Sequence, residues 1–201
     1  MSIGVAIPTY GREQTLIDSI NSVLAVAPKG TPVLIVDQTA KHSDSVIEQL
    51  AEFARRGEVW RVQLPSPSIT GAMNSALREL PTRYVIYLDD DVLLEPGLVE
   101  AHLRAHEGSG AKLIAGRVVQ PWQEGKDFSG VLDFHFATTR PRYIDEFMGG
   151  NFSLEREAAL ALGGFDEAVA AGAPQVLQQI DGAGVALRRI ALRGLGDDGV
   201  V

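Results

Sequence analysis

Apolar residues along this chain fall into short unbroken runs separated by longer amphipathic stretches. Residues 3–7 (IGVAI) form a compact run that stops at Pro8, the pattern of a strand buried on both faces. The turn-forming stretch PTYGRE follows, and residues 15–26 then place Leu16, Ile20, Val23 and Leu24 at helical spacing. Pro28, Gly30 and Pro32 break that helix, and residues 33–36 (VLIV) predict a second buried strand ending at Asp37. Residues 42–56 predict a second amphipathic helix with Val46, Ile47, Leu50 and Phe53 turned inward. Alternation over 59–64 predicts a third strand, the loop PSPSITG leads into a helix over 72–80, and residues 84–88 (YVIYL) predict a fourth strand.

Strands alternating with helices of this length imply βαβ units, so the expected fold class is α/β: a Rossmann-like, mostly parallel mixed sheet flanked by helices. Open sheets of this kind bind ligands outside the carboxyl ends of their strands. Asp37 and the triplet Asp89, Asp90 and Asp91 all fall on that edge. Further on, residues 98–105 predict a helix and 112–119 a strand. Residues 120–148 mix aromatics and charges, including Trp122, Phe128, Phe134, Phe136, Tyr143 and Phe147, and carry no periodicity. GGNFS at 149–153 is expected to lead into a helix over about 154–162, closed by Gly163 and Gly164. From Ala168 onward the sequence is rich in Ala and Gly, and no internal repeat is visible.

Composition narrows the functions. The 201 residues suit one sizeable core, so a single domain over 1–201 is expected. No cysteine is present, which excludes disulfides, thiolate zinc sites and cysteine nucleophiles, and permits a cytoplasmic location. The N-terminus lacks a basic segment ahead of its apolar run, and no run is long enough to span a bilayer. Contact with the inner face of a membrane through a partner stays open. The net charge of −8 and the lack of a basic block argue against nucleic acid as a partner.

Three consecutive aspartates after a buried strand point to a hard divalent cation, Mn²⁺ or Mg²⁺, which takes few carboxylates and completes its shell with phosphate and water. In an extended segment Asp89 and Asp91 share one side while Asp90 turns away or caps the next turn. A carboxylate and a phosphate 4 Å apart repel by about 4 kcal/mol at an effective dielectric of about 20, and a cation between them reverses the sign. The site therefore suits a diphosphate carried in with its metal. No GxxxxGK[ST] or GxGxxG turn is present. His102 and His106, four apart in HLRAH, have a chelating spacing but lie on partly solvated positions of the expected helix, so metal binding there is disfavoured. His135, between Phe134 and Phe136, and Trp122 are read as packing or acceptor-side residues.

Four segments in order, VAIPTYGRE, VLIVDQT, SITGAMNSAL with YVIYLDDDVLLEPG, and FMGGNFSLEREAALALGGFDE, resemble the family 2 glycosyltransferases of the GT-A fold over about residues 3–167. The resemblance implies a metal-dependent, inverting transfer of a sugar from a nucleoside diphosphate, UDP or dTDP, to a glycan or lipid-linked acceptor, as in polysaccharide biosynthesis. It divides the domain into a donor half, about 1–117, and an acceptor half, about 118–201. It also assigns residues. Pro8, Thr9 and Tyr10 line the nucleoside with Arg12 and Glu13 beside them, and Asp37 reads the base. Gly71 and Asn74 open a helix near the nucleotide, with Met73 where the family usually carries a basic residue. Asp89 and Asp90 lie at the ribose side, Asp91 with Asp89 holds the metal, and Gly149, Gly150, Asn151 and Asp166 line the sugar and acceptor. The family's general base corresponds to Asp181 in IDGAGVALRR, with glycines where further acids are expected; Asp166, Asp197 and Asp198 are weaker candidates. The C-terminus thus looks altered or shortened relative to the family. A nucleotide-sugar-binding domain without turnover is the alternative, and a nucleotidyltransferase is disfavoured because PTYGRE is neither Gly-rich nor strongly basic.

Overall fold

The computed structural model describes residues 2–119, 121, 125, 142–144, 147–168 and 190–193. In chain order they form β1 (Ile3–Thr9), α1 (Gln14–Val26), β2 (Val33–Asp37), α2 (Asp44–Arg55), β3 (Trp60–Gln63), α3 (Ile69–Glu79), β4 (Tyr84–Leu88), α4 (Leu98–Ser109), β5 (Leu113–Gly116), β6 (Arg142–Ile144), β7 (Asn151–Glu155), α5 (Arg156–Ala161) and β8 (Ile190–Arg193). The strands make one sheet ordered β3-β2-β1-β4-β7-β5-β8-β6. β1, β2, β3 and β4 are mutually parallel, whereas β7 runs antiparallel between β4 and β5. The expected α/β class with a mixed, largely parallel sheet holds.

Alternation along the inner strands sends side chains to two cores. Val5, Ile7, Val33, Ile35, Ile86 and Leu88 pack with α1 and α2 and with Leu98 and Val99 of α4 on one face. Ala6, Leu34, Val36, Val85 and Tyr87 pack with α3 and with Ala159 of α5 on the other. These strands read as continuous apolar runs because both of their faces are covered. The buried Tyr87 hydroxyl needs a partner and donates to Met73 O at 2.9 Å, tying the sheet to α3.

Three expectations are corrected. Ile47 is exposed, because α2 covers the sheet with the single stripe Val46, Leu50 and Phe53. His42 is not the first residue of a helix: it lies in the loop before Ser43, the N-cap of α2. The segment after Gly150 is a strand, β7, and not the approach to a helix; α5 begins only at Arg156. Gly163 and Gly164 follow α5 with φ of 87° and 78°, the left-handed turn a helix end needs.

Chain order sets the location of a site. From β1 the chain steps to β2 on one side, and β4 later returns on the other, so the carboxyl ends of β1, β2 and β4 surround a switch point. β7 starts at this same edge, since Asn151 pairs with Leu88. Asp37, Asp89 and Asn151 therefore arrive from separate parts of the sequence at one rim.

Candidate active site

The aspartate triplet leaves the end of β4 with its three side chains in different surroundings. Asp90 is buried: its Oδ2 accepts from Thr9 Oγ1 at 2.6 Å, and its Oδ1 lies 3.3 Å from Arg12 Nε. The backbone is held too, by Ser19 Oγ donating to Asp90 O at 2.8 Å and Leu94 N donating to Ser22 Oγ at 3.0 Å. Two serines three apart on α1 thus fasten the loop after the strand. Asp91 is half-exposed and lies 3.4 Å from Arg12 Nη2. Asp89 faces solvent; the protein around it and the charges of Asp91 and Asp90 hold its carboxyl above the ordinary range, with Arg12 offsetting part of this.

Gly150 presses directly against this strand end. Asp89 N donates to Gly150 O at 3.3 Å, and a Cβ on Gly150 would stand 2.6 Å from Asp89 Oδ2. Only glycine fits there without moving the carboxylate. Asn151 turns its amide away from the rim: Oδ1 lies 2.9 Å from His102 Nε2, and Nδ2 donates to Arg117 O at 3.2 Å. His102 Nδ1 and His106 Nε2 both reach Ser153 Oγ, at 2.8 and 2.7 Å, and His106 Nδ1 lies 2.9 Å from Ala111 O. The two rings are buried rather than partly solvated, their nitrogens are occupied, and burial pushes both pKa values down to about 4. They are structural imidazoles.

On the other side of β1, Asp37 is wholly buried. Its Oδ1 accepts from Thr39 N at 2.8 Å, while Oδ2 lies 2.8 Å from His42 Nε2 and 3.3 Å from Arg61 Nη1. His42 Nδ1 lies 2.8 Å from Glu13 Oε1, and Glu13 Oε2 accepts from both Ser43 N and Ser43 Oγ. These bonds hold the Glu13 carboxyl down at about 2. The rim is thus tied together from Asp91 and Asp90 through Arg12, and from Glu13 through His42 to Asp37 and Arg61. The sequence reading missed His42 and Arg61. A histidine five residues after the strand-end aspartate, and an arginine in register with Ile35 on the neighbouring strand, were the signals available.

The rest of the rim follows from its hydrogen bonds. Pro8 is half-buried and Tyr10 is 60% exposed, free to lie against a flat ligand. Gly11 N donates to Thr39 Oγ1 at 2.9 Å, drawing the loop after β1 towards the end of β2. Ser68 caps α3 by accepting from Gly71 N at 3.0 Å. Asn74 donates to Phe165 O and Glu167 Oε1 at 2.9 and 2.7 Å and accepts from Phe165 N at 2.8 Å. Its amide thus clamps the segment that carries Asp166, which runs back along α3 towards Gly71. Asp166 is half-buried and accepts from Ala168 N at 2.9 Å. Gly149 and Gly150 form the turn before β7. Trp122, His135, Asp181, Asp197 and Asp198 lie outside the described residues.

Among the described residues no group of three or more His, Asp or Glu side chains is placed to hold a metal. Asp89 and Asp91 nevertheless suit a cation that takes most of its ligands from phosphate and water: both are accessible, and their mutual repulsion is only partly offset by Arg12.

The family model for glycosyl transferase family 2 matches residues 4–163, and the chain belongs to that family. No curated protein sequence matches it. Among solved structures it is similar to S. aureus TarS 1–349 in complex with UDP-GlcNAc, at 16% identity and a TM-score of 0.70, covering 98% of this chain and 56% of that one. It is similar also to the mannosyltransferase PcManGT from Pyrobaculum calidifontis in complex with GDP-Man and Mn²⁺, at 16% identity and a TM-score of 0.66, covering 98% and 58%. These likenesses establish the GT-A fold. The chain spans a little over half the length of these structures. No described helix is long and apolar enough to cross a membrane.

Proposed function

We propose that this chain is a metal-dependent, inverting glycosyltransferase that moves a sugar from a nucleoside-diphosphate donor, UDP or dTDP, to a glycan or lipid-linked acceptor. The observation that carries this reading is the placement of Asp89 and Asp91. Two accessible carboxylates flank an inward-turned Asp90 at the switch point, with Gly150 packed against the first of them. Both neighbours named above are in complex with nucleotide sugars, one of them with Mn²⁺ as well, which supports a nucleotide-sugar donor.

Asp91 and Asp89 would hold Mn²⁺ or Mg²⁺, and the bound ion supplies positive charge to the leaving diphosphate. The chain's own residues do the rest. Tyr10 and Pro8 lie along the nucleoside, Asp37 stands at the base, and Asn74 holds the segment bearing Asp166 at the acceptor side. In a single displacement the acceptor oxygen bonds to the anomeric carbon as the bond from that carbon to the phosphate oxygen breaks. The hydroxyl proton passes to a carboxylate, for which Asp181 is the first candidate and Asp166 the second. The protein would work in the cytoplasm, at the inner membrane face when the acceptor is lipid-linked.

Calorimetric titration of UDP with Mn²⁺ and with chelator tests this. Binding is expected only with the metal, and Asp91→Ala is expected to abolish it. Binding that survives in Asp91→Ala, or that ignores the chelator, overturns the metal-held diphosphate. Metal-dependent binding without product across an acceptor screen would favour a nucleotide-sugar-binding domain that lacks turnover.

A further inference from the structure

The carboxylate expected to meet the base is sealed in. Asp37 is 0% exposed, so no ligand reaches it while its neighbours stay in place. Those neighbours are held with unequal firmness. His42 approaches Oδ2 at 2.8 Å with 2% of its side chain exposed. Its other nitrogen is pinned by Glu13, which is itself fixed by two bonds from Ser43. Arg61 approaches the same oxygen with one nitrogen at 3.3 Å, and 37% of its side chain is in solvent. It comes from β3, the strand at the end of the sheet order. Among the described residues Asp37 is the one carboxylate paired with it.

We propose that Arg61 is a displaceable cap on Asp37, and that His42, clamped by Glu13, is the permanent partner that stays when the cap leaves. This rests on the reading of Asp37 as the carboxylate on the nucleoside side. An N–H on the edge of a base takes the place on Oδ2 that Arg61 vacates. The exchange costs little on the arginine side, because a single-nitrogen, part-exposed ion pair is weak and the freed guanidinium is hydrated. It cannot run through His42, because a buried carboxylate stripped of its fixed partner is left uncompensated. His42 is thus a positioning residue for the base contact and Arg61 a gate over it.

The two roles predict opposite signs. With Mn²⁺ present, Arg61→Ala is expected to tighten UDP binding by about 2- to 5-fold, the worth of a weak, part-exposed ion pair no longer broken. His42→Gln is expected to weaken it by about 10-fold or more, while binding of inorganic pyrophosphate with Mn²⁺ stays unchanged. Weaker UDP binding in Arg61→Ala means the guanidinium touches the ligand and overturns the cap. Unchanged UDP binding in His42→Gln, or an equal loss of pyrophosphate binding, overturns the positioning role. The cap is also read without nucleotide, by carbodiimide coupling of Asp37 followed by peptide mass spectrometry. The wild-type carboxyl should be protected and that of Arg61→Ala labelled; equal protection overturns the cap. Should the wild type bind neither UDP nor dTDP with Mn²⁺, the proposed function fails, and the labelling still decides whether Arg61 covers Asp37.

Discussion

Each polar side chain in this protein does what its immediate neighbours allow, and the aspartate triplet shows how far identical residues diverge. Asp90 is spent on Thr9 and Arg12, whereas Asp89 carries the repulsion of its two neighbours into solvent. His102 and His106 show the same principle inside the core. In the unfolded chain both titrate near 6.5, and in the fold burial lowers them to about 4. Between those values the unfolded state holds more protons, so stability falls as pH drops from 6.5 towards 4, on the order of 3 kcal/mol per ring once titrated. Above that window these two rings add no slope. Their ring resonances should stay fixed in NMR spectra from pH 7.5 to 5, and denaturant melts should weaken below pH 6.5; rings that titrate near 6.5 contradict the assignment. At this scale the sequence placed Asp37 and the aspartate triplet at the ends of their strands but did not reveal their partners. Arg61 meets Asp37 only because β3 lies beside β2, and His42 only because the loop before α2 folds back.

At the scale of elements, what could be read depended on whether an element is buried on one stripe, on both faces, or by insertion. Tyr84–Leu88 was legible as a strand because five consecutive buried residues leave no helical alternative with a polar face. α1 and α3 were legible by periodicity, apart from their first residues. β7 was not: Asn151–Glu155 opens with a polar residue and carries a serine mid-strand, because that serine joins the histidines of α4. The segment after α5 depends on Asn74 in a way periodicity does not reveal. Asn74→Ala leaves both Phe165 N and Phe165 O without their bonds in a buried setting. It is expected to cost about 2–4 kcal/mol in urea unfolding, and a loss below about 0.5 kcal/mol would contradict the clamp.

Across the whole molecule the net charge of −8 bears on any anionic ligand. A nucleoside diphosphate approaching without metal meets like charge, which salt screens over about 10 Å at 0.1 M and 3 Å at 1 M. UDP should therefore not bind in chelator, and its Mn²⁺-dependent binding should weaken as NaCl rises from about 50 to 500 mM; binding in chelator that weakens with salt in the same way would contradict a cation acting as the bridge. The sheet order has a further consequence, for how the protein is made. β7 sits between β4 and β5, yet both precede it in the chain. During synthesis the outer edge of β4 must stay unpaired until Glu155 emerges. The wait from Leu88 is 155 − 88 = 67 residues, or roughly 3–13 s at typical elongation rates. Throughout that time a bare, apolar strand edge is offered to any other chain nearby. The nascent protein thus passes through a sticky interval that closes at the step that brings Gly150 against Asp89.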